Sequence, residues 1–343
     1  GLSKAYANGP RLHEFLNEMN QEVMSHYDVF SVGEAPGVTP EIAPLYVGED
    51  RKELDMIFHF QHLKIDRDKN DIWKKIPYPL AQFKDIFQSW DDAIGKNGWG
   101  TVYLGNHDTA RIVSHFGDDG QYRNESAKML ATLLFTLRGT VGVYQGDELG
   151  MTNRKFNDIS QFRDIQALNA YKEIVVEKGK NEASFIHSLN DFSRDHARTP
   201  MQWNANMHGG FTRGTPWIGV NENYSSINVE QQKHDKNSVL NFYKQLIKER
   251  KSDPLYVYGE TEILDKSHNK IYAYVRQYQD QARLVVLNFG AEPIRYTLPQ
   301  KWSSKMANSK FVLGNYSETN TNAGQQATAA LQLQPYEARI YEL

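Results

Sequence analysis

Segments with helical spacing of apolar residues alternate with short apolar runs in the first part of the chain. Apolar positions three and four residues apart predict helices, whereas short apolar runs fit buried strands of a parallel sheet. The alternation therefore predicts a parallel α/β architecture, in which polar clusters follow the strands. The predicted helices are residues 9–26, 80–95 and 124–138, and the predicted strands are residues 29–34, 54–60, 99–104 and 140–144.

Capping residues support two helices. Asn124 is the expected N-cap of the third predicted helix, and Gly139 suits the position just after its end. Ser238 predicts the N-cap of a further helix over residues 238–250, which Pro254 is expected to end.

The chain changes character twice after residue 150. Residues 150–235 lack clear periodicity and are rich in Asn, Gly and aromatic residues, which is usual for a functional segment. Beyond residue 257, short alternating runs without a long helical pattern predict an all-β module. We therefore expect an α/β part over residues 1–257 and a separate all-β domain over residues 258–343.

Composition excludes several classes of protein. The 343 residues are 40% hydrophobic and 24% charged with a net charge of −3, so nothing favours nucleic acid as a partner. No run of about 18 apolar residues predicts a membrane span. The chain has no cysteine, which excludes disulfides, thiolate metal sites and cysteine catalysis. Aromatic residues, at 12%, are compatible with a carbohydrate ligand but equally with an aromatic core.

Two carboxylates close predicted strands. Glu34 ends VFSVGE, and Asp108 ends VYLGNHD, so both are expected at the same rim of a parallel barrel. Glycoside hydrolysis needs two carboxyl groups beside the scissile bond, although a strand-end carboxylate also fits a helix cap or a loop. His107 could donate a hydrogen bond to a sugar hydroxyl, and Arg111 could orient a carboxylate. A metal site is not predicted, because His107 and Asp108 alone are too few ligands.

Several stretches resemble oligo-1,6-glucosidases and related α-glucosidases of the α-amylase superfamily. NGPRLHEFLNEMN with VGEAPGVT is similar to the region of their third conserved motif, and YLGNHDTARIVSHFGDDG to that of the fourth. Further similar stretches are YQGDELGMTN, RDHARTPMQWN and GFTRGTPWIGVNENY. The resemblance runs from about residue 4 to the end and implies a TIM barrel followed by a small antiparallel β-sandwich domain.

The resemblance also implies roles for single residues. Glu34 matches the general acid/base, and Asp108 matches the carboxylate that stabilises the transition state. His107 matches a histidine that contacts the same sugar, and Arg194 an arginine of the same subsite. Arg198 is a further candidate in the same stretch. No cofactor or metal is implied.

Two departures from the family change the expectation. No stretch resembles GFRMDVI, the motif that carries the nucleophilic Asp, so strands one to four are expected upstream of the chain. Residues 1–257 would then be the C-terminal half of the barrel, with edges that the missing half or a second copy must cover. In the fourth motif, Thr109 and Ala110 replace the usual Gln-Pro.

The implied activity is a retaining α-glucosidase that removes terminal glucose from short, isomaltose-like oligosaccharides, with this chain inactive by itself. One alternative is a sucrose isomerase or other transglycosidase, since HLKIDRDKN partly resembles a stretch of those enzymes. The other is a non-catalytic relative such as the heavy chains of amino-acid transporters, against which the intact site residues count. A cytoplasmic location is favoured.

Overall fold

Four short parallel strands form the centre of the α/β part in the computed structural model, which describes residues 7–95, 97–317 and 329–343. The first strand pairs with the second and the third with the fourth. The hydroxyl of Thr101 donates to the carbonyl oxygen of Ile57 at 2.8 Å, which links the two pairs. These strands are β1 (Val32–Glu34), β2 (Met56–Phe58), β3 (Thr101–Val102) and β4 (Thr140–Val141).

Helices surround these strands, and the predicted helices are confirmed with small shifts at their ends. Ser238 accepts a hydrogen bond from the N–H of Asn241, as expected of an N-cap. Pro254 does not simply end the chain's helical part but begins a second helix, because its missing N–H is harmless in a first turn. The helices are α1 (Leu12–Glu22), α2 (Ala43–Val47), α3 (Leu80–Ile94), α4 (Ile112–Phe116), α5 (Arg123–Thr136), α6 (Ile165–Tyr171), α7 (Glu182–Phe192), α8 (Val229–His234), α9 (Val239–Ser252) and α10 (Pro254–Tyr258).

The expected cap of α5 is wrong at one end. Asn124 lies inside the helix, and the carboxylate of Asp118 instead accepts the N–H of Tyr122 at 2.9 Å. Gly139 beyond the other end has a φ of +118°, and a Cβ there would lie 2.7 Å from the carbonyl oxygen of Gly100. Glycine is therefore required where the chain turns into β4.

The segment over residues 150–235 contains more helix than its sequence predicts. Asp164 caps α6 and Asn181 caps α7, each by accepting a backbone N–H in the first turn. A π-helical turn, Lys172–Glu177, continues α6. The sequence gives no periodic signal for α6, because this helix is short and buries only Ala167 fully. The buried residues of α7 do have helical spacing, so this helix could have been predicted.

The run over residues 29–34 is not the buried strand that its apolar residues predict. Val29 and Phe30 are 58% and 72% exposed. Among the described residues β1 pairs only with β2, so this side of the sheet is an edge. We call the apolar side chains exposed here the open edge; they are Phe15, Met19, Val23, Tyr27, Val29, Phe30 and Val32.

A five-stranded antiparallel sheet, in the order β5-β6-β7-β11-β9, forms most of the C-terminal part. One face packs on a two-stranded sheet of β8 and β10 and on a short helix, α11 (Gln300–Ser303). The other face packs on α3, α5 and α9. The strands are β5 (Glu260–Ile263), β6 (Ile271–Tyr278), β7 (Gln281–Asn288), β8 (Ile294–Thr297), β9 (Lys310–Gly314), β10 (Ala330–Leu333) and β11 (Ala338–Glu342).

Alternation in β6 thus separates two buried faces rather than a buried and a wet one. Ile271 and Val275 face the two-stranded sheet, whereas Tyr272 and Tyr274 face the α/β part. All four side chains are fully buried. Among the described residues, no helix has the length and apolar character that crossing a membrane requires.

Three cations hold the helices of the α/β part together and join this part to the five-stranded sheet. The ammonium of Lys84 on α3 donates to three carbonyl oxygens, two of them at 2.7 Å, in the loop before β6. Arg250 on α9 donates to the carbonyl oxygens of Phe135 and Leu137 at the end of α5. Arg276 on β6 donates to the carbonyl oxygen of Thr136 from the other side. The carbonyl oxygens at the end of α5, which have no partner within the helix, thus accept hydrogen bonds from the two arginines.

Replacing Lys84 with Met should lower the free energy of unfolding by about 3 kcal/mol, because it leaves buried carbonyl oxygens without a donor. Urea unfolding followed by circular dichroism measures the change. Gln82→Met on the exposed side of α3 is the matched control and should change stability by less than about 0.5 kcal/mol. Equal stabilities of the two variants would contradict this role of Lys84.

Candidate functional site

Glu34 is the last residue of β1, and its side chain is exposed. The strand is held in register by β2, where Glu34 lies opposite Phe58. A Cβ at Gly33, the preceding residue, would lie 2.6 Å from a methyl carbon of Leu54, so a larger residue there would require the Leu54 side chain to move. A backbone fixed in this way presents the carboxylate of Glu34 at the C-terminal end of the sheet.

Tyr103 is a neighbour of Glu34 that the motifs did not single out. Burial raises the pKa of Tyr103, and the carboxylate of Glu34 raises that pKa further. The Tyr103 hydroxyl donates to the carbonyl oxygen of His59 at 2.5 Å, which holds the ring in place. The signal for this residue was its position, directly after β3 and before the Asn106–Asp108 stretch.

The loop after β3 sets the position of Asp108. The side-chain oxygen of Asn106 accepts the N–H of Asp108 at 2.8 Å, and the Thr109 hydroxyl accepts the N–H of Asn106 at 3.0 Å. Thr109, which departs from the family motif, therefore has a defined role in the turn. His107 projects outward, with its side chain 60% exposed and its Nε2 3.8 Å from the Asp108 carboxylate.

Two arginines of the RDHAR stretch flank Asp108. Arg198 donates to the Asp108 carboxylate at 2.5 Å and to the carbonyl oxygen of His107 at 3.1 Å. Arg194 lies farther away, at 3.6 Å from the same carboxylate. The structure thus brings together Asp108, His107, Arg194 and Arg198, and Arg198 makes the closer contact.

Arg194 is oriented by an acid that the sequence did not reveal. Its guanidinium makes two hydrogen bonds, at 2.9 and 2.5 Å, to the buried carboxylate of Asp164, the N-cap of α6. Burial acts to raise the pKa of Asp164, but these hydrogen bonds outweigh it and hold the pKa below its usual value. Asp195 in turn accepts the N–H groups of Arg163 and Asp164. The ion pair between Arg194 and Asp164 thus lies beside Asp108, in a segment that contains no strand.

Arg111 does not join the other predicted site residues. Its side chain is 2% exposed, and its guanidinium donates to the backbone carbonyl oxygens of Gln145 at 2.6 Å and His196 at 3.0 Å. Neither of the expected alternatives, a carboxylate-orienting or a surface arginine, describes it. Arg111 instead ties the loop after β4 to the loop that carries Arg198, and so positions Arg198 indirectly.

The site contains two carboxyl groups near the C-terminal ends of strands. Glu34 ends β1, whereas Asp108 lies in the loop that follows β3. The exposed carboxyl group of Glu34 is one of the two groups that glycoside cleavage needs, and Asp108 adds a carboxylate held by arginine. The described residues include no group of three or more His, Asp or Glu side chains suited to a metal ion.

Comparison with known proteins identifies the family. The catalytic-domain model of alpha-amylase matches residues 2–259, and that of the alpha-amylase SusG C-terminal domain matches residues 271–340. This chain belongs to the alpha-amylase family. The matches confirm the predicted catalytic domain and the C-terminal domain that follows it, whose main sheet is antiparallel.

Relatives extend beyond the chain. It is 44% identical to the oligo-1,6-glucosidase of Bacillus cereus over 99% of its own length, but spans 60% of that relative. The solved trehalose-6-phosphate hydrolase of Bacillus licheniformis superposes with a TM-score of 0.91 at 40% identity, covering 98% of this chain and 60% of the enzyme. Isomaltulose synthase of Klebsiella sp. LX3 gives 0.90 at 40% identity, covering 97% and 59%. The chain thus spans about 60% of the length of these relatives.

Asp147, in the loop that Arg111 holds, should make stability depend on pH. Burial raises its pKa to about 7, although the nearby Arg111 acts to lower it. Between pH 4 and 7 the folded chain keeps a proton that the unfolded chain releases, so folding becomes less favourable as pH rises. Asp147→Asn should remove this loss, and its urea midpoint relative to the parent should be higher at pH 8 than at pH 5.

Asp119→Asn, at an exposed aspartate, is the control and should show the same difference from the parent at both pH values. If Asp147→Asn behaved like this control, the carboxyl of Asp147 would be ionised in the folded chain throughout the range.

Proposed function

We propose that this chain carries the acid/base side of a retaining α-glucosidase that removes terminal α-linked glucose from short oligosaccharides. The observation that carries the proposal is the pair of exposed Glu34 and arginine-held Asp108 at the same ends of nearby strands. The identity to oligo-1,6-glucosidases over almost the whole chain supports the substrate class.

The proposed reaction has two steps. Glu34 first protonates the glycosidic oxygen while a carboxylate nucleophile attacks the anomeric carbon, so the leaving sugar departs and a covalent glucosyl intermediate forms. Glu34, now a carboxylate, then removes a proton from water, which attacks the same carbon and releases glucose with its original configuration. An exposed Glu34 can meet both the leaving sugar and the water.

Asp108 and His107 would hold the glucose unit while its ring flattens toward the transition state. A carboxylate that accepts hydrogen bonds from sugar hydroxyls must stay ionised and fixed in position. Arg198, at 2.5 Å from the Asp108 carboxylate, fixes its position, and Arg194, held by Asp164, lies 3.6 Å from the same carboxylate. The exposed imidazole of His107 is free to turn toward the same sugar.

The nucleophile is proposed to come from another stretch of polypeptide that covers the open edge. No stretch of the chain resembles the family motif for this residue. The open edge holds Phe30, 72% exposed, and Tyr27, 68% exposed, directly before β1 and Glu34. An apolar surface of this kind beside a sheet edge is suited to packing against further strands and helices.

The contacts of residues 65–68 (IDRD), part of the stretch that partly resembles sucrose isomerases, favour hydrolysis over transglycosylation. Asp66 is buried and lies 2.9 Å from the Nε2 of His115, and the guanidinium of Arg67 lies over the ring of Phe192. These charges stabilise the fold and do not line the site around Asp108. Since isomaltulose synthase is among the similar structures, sucrose is the substrate on which a second activity would be sought.

The first test combines the intact mass of the purified protein with the release of p-nitrophenol from p-nitrophenyl-α-glucoside. A mass near 39.5 kDa without turnover is expected if the nucleophile lies on another polypeptide. If a second polypeptide of roughly 20 kDa accompanies the chain, turnover is expected, and Glu34→Gln should lower it by about 100-fold or more.

Glu41→Gln, at an exposed glutamate in the loop after β1, is the control and should keep full turnover. Turnover that survives Glu34→Gln would refute the proposed acid/base. Release of β-glucose rather than α-glucose, observed by proton NMR in the first minutes, would refute retention. Isomaltulose formed from sucrose would replace hydrolysis with transglycosylation.

A further inference from the structure

A loop over residues 203–211, here named the aromatic loop, presents three large apolar side chains to solvent. Trp203 is 49% exposed, Met207 64% and Phe211 52%. Tryptophan and phenylalanine rings contribute most of their binding energy through contact area, so rings left outside a core are suited to bind a partner. Nothing in the mechanism above uses these rings.

The aromatic loop is held in one shape by its own backbone. The N–H of Trp203 donates to the carbonyl oxygen of Gly209 at 2.8 Å, which closes the loop. His208, Gly209 and Gly210 have φ values of +57°, +65° and +69°, three left-handed residues in succession. The carbonyl oxygen of Trp203 accepts the N–H of Glu230 in α8 at 3.0 Å. Its rings are therefore displayed on a fixed support rather than on a free chain.

The loop begins close to the candidate site. Arg198, which binds Asp108, is five residues before Trp203, so their Cα atoms lie within about 18 Å even for a fully extended chain. Between them Gln202 is fully buried, and its amide donates to the carbonyl oxygen of Ile227 at 2.5 Å. A ligand longer than one sugar unit can thus reach from Asp108 to the rings.

The surroundings of the rings fit a sugar better than an apolar protein surface. A glucose ring has an apolar face, which stacks on an aromatic ring, and a rim of hydroxyl groups, which need hydrogen-bonding partners. Polar side chains that are at least partly accessible follow each ring along the loop; they are Asn204, Asn206, His208, Thr212 and Arg213. These side chains offer donors and acceptors of the kind that the hydroxyl rim of a sugar needs.

We propose that the aromatic loop binds the glucose units of an oligosaccharide that lie beyond the unit held at Asp108. The rings of Trp203 and Phe211 stack on the apolar faces of these outer units, and the neighbouring amides and hydroxyl bind their rims. The proposal rests on the proposed function for the position of the first unit. It makes chain length, and not only the terminal glucose, a determinant of affinity.

The test measures dissociation constants of glucose, isomaltotriose and maltotriose for the full 343-residue chain by saturation-transfer NMR. The parent is expected to bind one trisaccharide about tenfold or more tightly than glucose. Trp203→Ala and Phe211→Ala should each lose most of this ratio while the dissociation constant of glucose stays unchanged. Trp203→Phe, which keeps a ring, should restore most of it.

Tyr258→Ala is the matched control, because Tyr258 is 55% exposed and lies in α10, outside the proposed site. It should bind all three sugars like the parent, and circular dichroism checks that every variant is folded. Trisaccharide binding equal in Trp203→Ala, Phe211→Ala and the parent would overturn the proposal, as would the absence of trisaccharide binding by the parent.

The outcomes separate this proposal from the proposed function. If the trisaccharide binds through Trp203 but Asp108→Asn leaves both glucose and trisaccharide binding unchanged, the aromatic loop is supported and the assignment of Asp108 fails. If Asp108→Asn weakens glucose binding and the loop variants change nothing, Asp108 keeps its role and the aromatic loop does not.

Discussion

The arrangement of the molecule depends on buried cations that are satisfied by backbone carbonyl oxygens. Lys84 and Arg276 hold the α/β part against the five-stranded sheet, and Arg250 ties α9 to the ends of α5 and α10. None of the three side chains has a carboxylate among these hydrogen-bonding partners. A buried charge is costly unless it is fully hydrogen-bonded, so each of these side chains fixes several carbonyls at once. Burial lowers the pKa of both Arg250 and Arg276 to about 10, which still leaves them charged at neutral pH.

Arginine side chains also hold the loops of the site together. Arg111 collects carbonyl oxygens from two loops, and Arg194 fixes Asp164 at the start of α6. Of these three arginines, only Arg198 donates a hydrogen bond to Asp108, the residue proposed to contact a sugar. The site is therefore assembled from irregular segments whose geometry is set by charged side chains rather than by regular backbone pairing. Such a site tolerates little movement, because each loop is tied to the next.

The sequence predicted much of this for physical reasons that are visible in particular residues. Capping at Ser238 located α9. Strand ends and motif resemblance proposed Glu34 and Asp108, and the structure places Asp108 beside Arg198, while their catalytic roles stay predictions. The predictions that failed mostly concern features set by tertiary contacts. Arg111 bonds to residues far away in the chain, and the exposure of Val29 and Phe30 depends on which strand lies beside β1. The cap of α5 failed locally, because Asp118 rather than Asn124 accepts the N–H at the start of the helix. Helix α6 was missed because its apolar face is too narrow to produce a clear period. Helix α7 was predictable, since Asn181 caps it and Phe185, Ile186, Leu189 and Phe192 are buried at helical spacing.

The five-stranded sheet has a consequence for how its domain could have spread among proteins. A sheet with one solvent-exposed face can be joined to a different protein without exposing apolar side chains, because few of its contacts involve the rest of the chain. Here Tyr272 and Tyr274 would be stripped of cover by such a transfer, and Arg276 would lose the carbonyl of Thr136. A substitution on one side of this common surface should therefore require a compensating substitution on the other side.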